Sequence, residues 1–436
     1  MKIHMDLDCY FVSAERCRYP YLEGKSVVVV KGSDKRIFSQ VRQEVKLFDG
    51  VGAFNSVLEF KNRYQYDYLN AWREEFIDID RKIYGTVIAK SYEAKDKGIK
   101  TGTLLREALQ MDSNLIVIPS DHLYYQEVSN RLRGYLHSQI PLLEQYSIDE
   151  FFGDLGGWVS DEDTYEYIKK LQDNILKKFN LPITIAASKS KWIAKLTVAN
   201  IKPYGLKVLR KEEVNSFTDQ IRIGEFPGVG RSIGKRLSSY FIKTIADAKT
   251  RPSLFYSYGK MGQILYNRIC GEDNEAVIPC RDRKGVGISR SFKPVKDREE
   301  IYRRVVILVK YLSYTLFKLQ LNPTTFYFKV RYEFGSKVSK SITINRLFNE
   351  KLLKEIALDI IKKIEIHPFQ KINYLALSAS NFVDRYNRTT FSVLSYERDY
   401  KMKKLSLGIT KIRDKYGIDS ICYGVELKGR RSDTHL

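Results

Sequence analysis

Apolar and polar positions alternate from the first residues of the chain. Ile3, Met5 and Leu7 fall on one face and His4 and Asp6 on the other, which predicts a strand that delivers a carboxylate to its end. Cys9–Arg18 reads as a short helix stopped near Pro20, and Val27–Val30 as a buried strand. From Gly32 to about Gly85 the periodicity blurs. That stretch is aromatic and charged (Phe60, Tyr64, Tyr66, Tyr68, Trp72, Phe76) and reads as an insertion that partly packs on its neighbours. Order returns with a strand at Thr86–Ala89 and a helix at Leu104–Leu109. Ser160 reads as an N-cap, with Asp161, Glu162 and Asp163 in the first turn, followed by Tyr165, Ile168, Leu171, Ile175 and Phe179 at helical spacing. Ile183–Ala187 is a predicted strand, and Ser188 a predicted cap for a helix running to about Asn200. These elements, with a carboxylate-bearing hairpin around Asp149, predict a ferredoxin-like α/β unit.

Phe226-Pro227-Gly228-Val229-Gly230 lies between helical stretches and marks a second, helical domain. Arg281–Gly287 is polar, basic and glycine-containing, as a linker is. Beyond it come a helix at Asp297–Leu319, strands at Thr325–Phe334 and Lys340–Ile344, a helix at Leu352–Ile364 and a strand at Ile372–Ser378. They predict a further small α/β domain, in which Phe326, Tyr327, Phe328 and Tyr332 read as core. There is no internal repeat.

A chain of 436 residues exceeds what one hydrophobic core supports, so several domains are expected. The net charge of +22 makes a polyanion the natural partner. The charge is also localised: Arg281–Arg346 holds 16 Lys/Arg and 5 Asp/Glu. A surface that tracks phosphates requires such clustering. Cys9, Cys17, Cys270, Cys280 and Cys422 show no metal-ligand spacing and fit a reducing compartment. The first residues carry no signal-peptide core, and the longest aliphatic runs, Val27–Val30 and Val305–Val309, are too short to span a bilayer. A cytoplasmic protein without a membrane partner is expected.

Two strand ends offer carboxylates: Met5-Asp6-Leu7-Asp8 and Tyr146-Ser147-Ile148-Asp149-Glu150. Phosphoryl transfer to a hydroxyl uses a pair of hard cations about 3.5–4 Å apart, and magnesium takes oxygen ligands. Either string alone is also what a turn with solvated acids looks like.

Together the motifs resemble a known family. Met5-Asp6-Leu7-Asp8-Cys9-Tyr10-Phe11-Val12-Ser13-Ala14-Glu15 is similar to the opening motif of the Y-family (DinB/UmuC-type) translesion DNA polymerases. Tyr146–Glu150 resembles their second catalytic motif. Ser188-Lys189-Ser190-Lys191-Trp192-Ile193-Ala194-Lys195 with Lys202-Pro203-Tyr204-Gly205 resembles their third, and Phe226–Gly230 their thumb hairpin. The resemblance implies an α+β right-hand polymerase: a ferredoxin-like palm (1–10 and 122–202), small fingers (11–121, with the insertion at about 32–85), and a helix-hairpin-helix thumb (203–278). A linker (279–286), an α/β little finger (287–385) and a C-terminal tail (386–436) complete it. It implies a low-fidelity, lesion-bypassing DNA polymerase that adds deoxynucleotides to a primer 3′-hydroxyl with two Mg2+ ions, works on primer–template DNA and acts as a monomer.

By the same resemblance Asp6, Asp149 and Glu150 are the catalytic metal ligands, with the Leu7 carbonyl beside them. Asp8 matches a family acid that is not usually a ligand. Phe11 falls at the steric-gate position, although periodicity alone favours plain helix core. Tyr92-Glu93-Ala94-Lys95 resembles the Tyr-Glu-Ala-Arg motif that binds the incoming triphosphate. Lys95 replaces the arginine and cannot fork onto two phosphate oxygens. Lys195 is the second expected triphosphate contact. Gly228 and Gly230 suit a turn whose backbone N–H groups approach a DNA phosphate. Thr390-Phe391-Ser392-Val393-Leu394 lies where many relatives carry a sliding-clamp peptide, but without its customary Gln, and Arg413-Asp414-Lys415-Tyr416-Gly417 resembles a tail element of some bacterial relatives. Two rivals stand beside this reading. Another two-metal palm enzyme leaves the thumb hairpin and basic domain unexplained. A catalytically inactive DNA-binding descendant is expected to have lost a carboxylate, and all three are present.

Overall fold

The computed structural model describes residues 1–32, 36–38, 44–48, 58–60, 71–77, 81–280, 282–383 and 391–431. Their contacts divide them into two units. In the first, strand β1 (Lys2–Leu7) is the middle of a five-stranded sheet. It runs antiparallel to β8 (Glu150–Asp154) on one side and to β9 (Ile183–Ser188) on the other. β7 (Leu142–Gln145) and β10 (Leu206–Leu209) form the edges, giving the order β10-β9-β1-β8-β7. Ile3, Met5 and Leu7 face a core completed by the helices Tyr10–Arg18, His122–Gln139 and Thr164–Phe179. The opposite face is covered by the helix Lys191–Ile201, so His4 is as deeply buried as Ile3.

A smaller sheet of the same unit orders β5 (Thr86–Lys90), β2 (Val27–Lys31) and β6 (Ile116–Pro119), with β2 and β6 parallel. Val28, Val30, Val87 and Val117 meet Phe76 from the end of the expected insertion. A third core gathers Phe226, Leu237, Ile245, Phe255 and Ile269 around Ile193 and Leu196.

Two helix starts differ from expectation. The helix begins at Thr164, not Asp161. The Ser160 hydroxyl accepts from Asp163 N–H (3.1 Å) in a turn that precedes it, leaving Glu166 as the acid of its first turn. Ser188 is still paired as the last residue of β9. Ser190 caps the next helix, accepting from Ile193 N–H at 3.2 Å.

The second unit is an antiparallel sheet, β11 (Gly285–Val295), β14 (Ile372–Phe382), β12 (Pro323–Tyr332) and β13 (Lys337–Thr343), in the order β11-β14-β12-β13. β11 begins at Gly285, inside the stretch expected to be linker. One face packs on the helices Arg298–Lys318 and Glu350–Ile364. Phe326, Phe328 and Tyr332 point into that core, whereas Tyr327 is half-buried on the other face with Lys329 and Arg331.

The helix Arg298–Lys318 is buried without a break from Val305 to Phe317. A helix buried all round must be covered on every side. Part of the cover comes from the insertion. Ile37 and Phe38 are buried here, and β3 (Val45–Leu47) pairs with β4 (Leu58–Phe60) against the same core. Phe38 meets Phe292 edge-on at 5.6 Å, its carbonyl accepts from Arg303 Nη2, and Phe60 lies 5.5 Å from Tyr311. So the described strands of a segment interrupting the first unit in sequence belong to the core of the second.

The tail adds a 24-residue helix, Val393–Tyr416, and a closing turn. The Arg413 guanidinium forks onto Glu350 (Nη1–Oε2 2.6 Å, Nη2–Oε1 3.0 Å), both groups buried. Asp414 accepts from Tyr314 and Lys318, and Lys310 bridges Asp419 and Glu426. Arg413-Asp414-Lys415-Tyr416-Gly417 therefore fastens the tail to the domain core. Of the suggested clamp segment, Thr390 lies outside the described residues, Phe391 is buried, and Val393 and Leu394 are exposed.

Candidate active site

Antiparallel pairing sets Asp6 of β1 directly opposite Glu150 of β8. The turn before β8 is closed by Tyr146 N–H and Ser147 N–H donating to the Glu150 carbonyl (2.9 and 3.2 Å), and Ser129 holds the Ile148 carbonyl at 2.5 Å. Asp149 is thereby thrown to the same edge. Its carbonyl accepts from Leu7 N–H at 3.0 Å, which ties the two carboxylate-bearing segments together, and its side chain accepts from Ser147 Oγ at 2.5 Å. Three carboxylates and the end of β1 thus meet at one strand edge.

Burial pushes Asp6 up to about 7; Lys202 opposes that, and the charges of Asp149 and Glu150 add to it. Burial raises Asp149 as well, with Ser147 opposing and Glu150 reinforcing. Lys202 Nζ stands 2.6 Å from Asp6 Oδ1, and Lys195 Nζ pairs with Glu150 Oε1. His4 lies beneath, its Nε2 3.8 Å from Glu150 Oε1, with neither ring nitrogen hydrogen-bonded. Burial, then Lys195, Lys202 and Lys191, hold its pKa well below the usual value. His4, Asp6 and Glu150 bring ligand atoms within 4.8 Å of one another. Asp6 and Glu150 give that set two carboxylates, the oxygen donors that a hard cation such as magnesium takes, while Asp149 lies outside it.

A cleft of about 340 Å³ opens beside this edge. Asp6, Asp149, Phe11, Tyr92, Lys95 and Lys202 all line it. Phe11 is stacked on Tyr125 at 4.4 Å and meets His122 edge-on, so it is half core and half cleft wall. Ser91 caps the short helix Tyr92–Asp96, and Lys95 Nζ lies 5.5 Å from the Tyr92 ring centroid. Lys195 does not line the cleft; it sits between Glu150 and the Tyr146 ring. Lys202 lines the cleft in company with Lys90 and Lys95, although its place in the Lys202-Pro203-Tyr204-Gly205 motif implied no role for it. Its signal is the Pro203-Tyr204-Gly205 that follows: a Cβ on Gly205 would stand 2.1 Å from the Ile201 carbonyl oxygen, so the chain turns tightly there.

Away from the cleft, Gly228 has φ 102, a conformation that favours glycine, and Gly230 starts the helix Arg231–Ser239. Phe226 and Val229 are buried and anchor the turn, leaving its glycines at the surface. Among the described residues no helix is long and apolar enough to cross a membrane.

Residues 5–199 match the impB/mucB/samB family, and residues 283–390 match that family's C-terminal domain. The chain belongs to this family, the Y-family DNA polymerases. It is a DNA-directed DNA polymerase of the translesion type, serving DNA repair. DNA polymerase IV of Listeria innocua is 26% identical over 352 residues, covering 80% of this chain and 85% of the relative. DNA polymerase IV of Clostridium kluyveri is 27% identical over 353 residues, covering 77% and 87%. A Y-family polymerase chimera of Dbh and Dpo4 shares the fold with a TM-score of 0.68 at 20% identity, covering 88% of this chain and 99% of the chimera. DinB from Sulfolobus solfataricus aligns over the same 88% of this chain with a TM-score of 0.53. Polymerases of this family use metal ions and deoxynucleoside triphosphates.

Proposed function

We propose that this Y-family polymerase joins deoxynucleotides to a primer 3′-hydroxyl at the Asp6–Asp149–Glu150 edge, with two Mg2+ ions held by those carboxylates and the Leu7 carbonyl. The observation that carries the reading is that the end of β1, the start of β8 and the turn before it bring Asp6, Glu150 and Asp149 to one edge, with Asp6 and Asp149 in the wall of a cleft that Tyr92, Lys95 and Lys202 also line. Bound there, the ions lower the pKa of the attacking hydroxyl and neutralise charge at the phosphorus. Ser147 orients Asp149, and the pairing of β1 with β8 holds Asp6 against Glu150. Tyr92, Lys95 and Lys202 take the triphosphate, with Lys195 close by on Glu150. Phe11 stands where a ribose 2′-hydroxyl would press.

Primer–template DNA is the partner in this reading. The Gly228–Gly230 turn offers backbone N–H groups to phosphate. The open face of the second unit's sheet carries Lys329 and Arg331 among small side chains such as Ser289, Ala376 and Ser378. Such a face lets phosphates approach closely. A sliding clamp as a further partner rests only on exposed Val393 and Leu394. The working compartment is the cytoplasm, and the working form a monomer.

Primer extension on undamaged and abasic templates, with all four deoxynucleotides and Mg2+, tests the proposal. Extension on both, abolished by a chelator, is expected. Extension that persists without divalent metal would overturn it.

A further inference from the structure

Asp8 lies two residues past the catalytic Asp6, and its carboxylate is almost completely buried. Its backbone is fixed on both sides: the N–H donates to the Pro182 carbonyl (2.9 Å), and the carbonyl accepts from Ser13 Oγ (2.6 Å). The side chain then meets donors from three separate stretches of chain. Thr184 Oγ1 is 3.0 Å from both oxygens, Tyr204 N–H donates to Oδ2 at 2.8 Å, and the Tyr92 hydroxyl reaches Oδ1 at 3.4 Å. Lys202 Nζ stands 3.8 Å from Oδ1. With those donors around it, the carboxylate has little lone-pair capacity left for a metal.

Two of the partners belong to the cleft. Tyr92 and Lys202 both line it, and Tyr204, whose N–H binds Asp8, lies two residues past Lys202. Tyr204 has φ 50, an uncommon conformation for a residue with a side chain, and its N–H is spent on Asp8. We propose that Asp8 is a positioning residue for nucleotide binding: it holds Tyr92 and the Lys202–Tyr204 turn at a fixed separation across the cleft without itself ligating metal. The proposal rests on the assignment of the cleft to the incoming triphosphate.

Removing this carboxylate leaves the Thr184 hydroxyl and Tyr204 N–H without their acceptor and lets Tyr92 and Lys202 move independently. The three metal carboxylates keep their own supports, the β1–β8 pairing and Ser147. The cost therefore falls on nucleotide binding rather than on the chemical step.

The test is single-nucleotide incorporation kinetics with the full chain on a defined primer–template, normalised by burst amplitude to the active fraction. Asp8→Ala and Asp8→Asn should each raise KM for the deoxynucleotide by about tenfold or more, with kcat within about threefold of wild type and primer–template Kd unchanged. Combined with Tyr92→Phe, the effect on KM should be less than additive. If Asp8→Ala does not fold, Thr184→Val provides the same reading, with KM up by about threefold and kcat held. A collapse of kcat by about a thousandfold with KM unmoved would make Asp8 a metal ligand and overturn the proposal. So would a loss of burst amplitude and Tm while the remaining active enzyme keeps its wild-type KM. If wild type itself incorporates no nucleotide, the assignment of the cleft fails and this inference falls with it. If wild type incorporates and the variants keep their KM, only this inference fails.

Discussion

At the Asp6–Glu150 edge three carboxylates crowd one another, with Lys202 and Lys195 as partners for only two of them. In the core of the second unit Arg413 and Glu350 meet as one fork on one carboxylate, and Lys310 sits between two acids. Both arrangements take charge out of water. In the first, burial pushes the Asp6 carboxyl up to about 7 against the pull of Lys202, and the charges of Asp149 and Glu150 add to it. In the second, opposite charges satisfy each other with good geometry. A buried group whose neighbours leave it unsatisfied points to something the fold is built to bind, whereas a buried group that is fully paired holds the fold together. The comparison predicts that substitutions at the two places have opposite consequences.

Asp149→Ala carries the largest expected effect. Single-nucleotide incorporation should fall by at least about a thousandfold, while the melting temperature holds or rises because a crowded charge has been removed. A clear drop in Tm would erase the contrast between the two regions. Arg413→Ala comes next and should do the reverse. Stranding Glu350 in the core should cost about 3–5 kcal/mol in denaturant unfolding of the second unit, with kcat per active molecule unchanged. Phe11→Ala is smaller, since one wall of the cleft is lost and nothing ionic is touched. The preference for deoxy- over ribonucleotides should fall by at least about tenfold, measured with matched dNTP and rNTP. Retained selectivity would make the stacking on Tyr125 its whole role.

The crowded edge should also make stability depend on pH. The folded pKa of Asp6 is raised from 3.8 to about 7, so the folded protein binds this proton more tightly than the unfolded chain. In metal-free buffer this group's contribution to stability is therefore full below about pH 4 and declines as pH rises towards 7. Asp6→Asn cannot ionise. Its Tm relative to wild type should climb across that window and level off above it, which thermal melts at stepped pH will measure. A parallel pair of curves would mean that the crowding is relieved in solution.

Much of the catalytic unit was legible in the sequence because its signals are local. Ile3, Met5 and Leu7 alternate, Val27–Val30 is apolar without a break, Ile183–Ala187 is apolar but for Thr184, and the strings ending in Asp6 and Glu150 place carboxylates at strand ends. Lys202 was less legible than Lys195 because a turn, not a helical period, carries it into the cleft. The shift of the cap from Ser188 to Ser190 turned on how far β9 stays paired, which two nearby serines do not encode. The insertion was opaque for another reason. β3 and β4 are three residues each and are held by packing on the second unit's core, so no local pattern could show them. Arg413 looks like any basic residue of a solvated helix until Glu350, 63 positions away, is folded against it.

If the crowded edge holds two ions, they can be counted. Mn2+ titration of the full chain bound to primer–template and a non-hydrolysable deoxynucleotide, read by electron paramagnetic resonance, tests this most directly. Two bound ions per wild-type chain, with that binding lost in Asp149→Ala, are expected; binding of two ions left unchanged by Asp149→Ala would rule out Asp149 as their ligand.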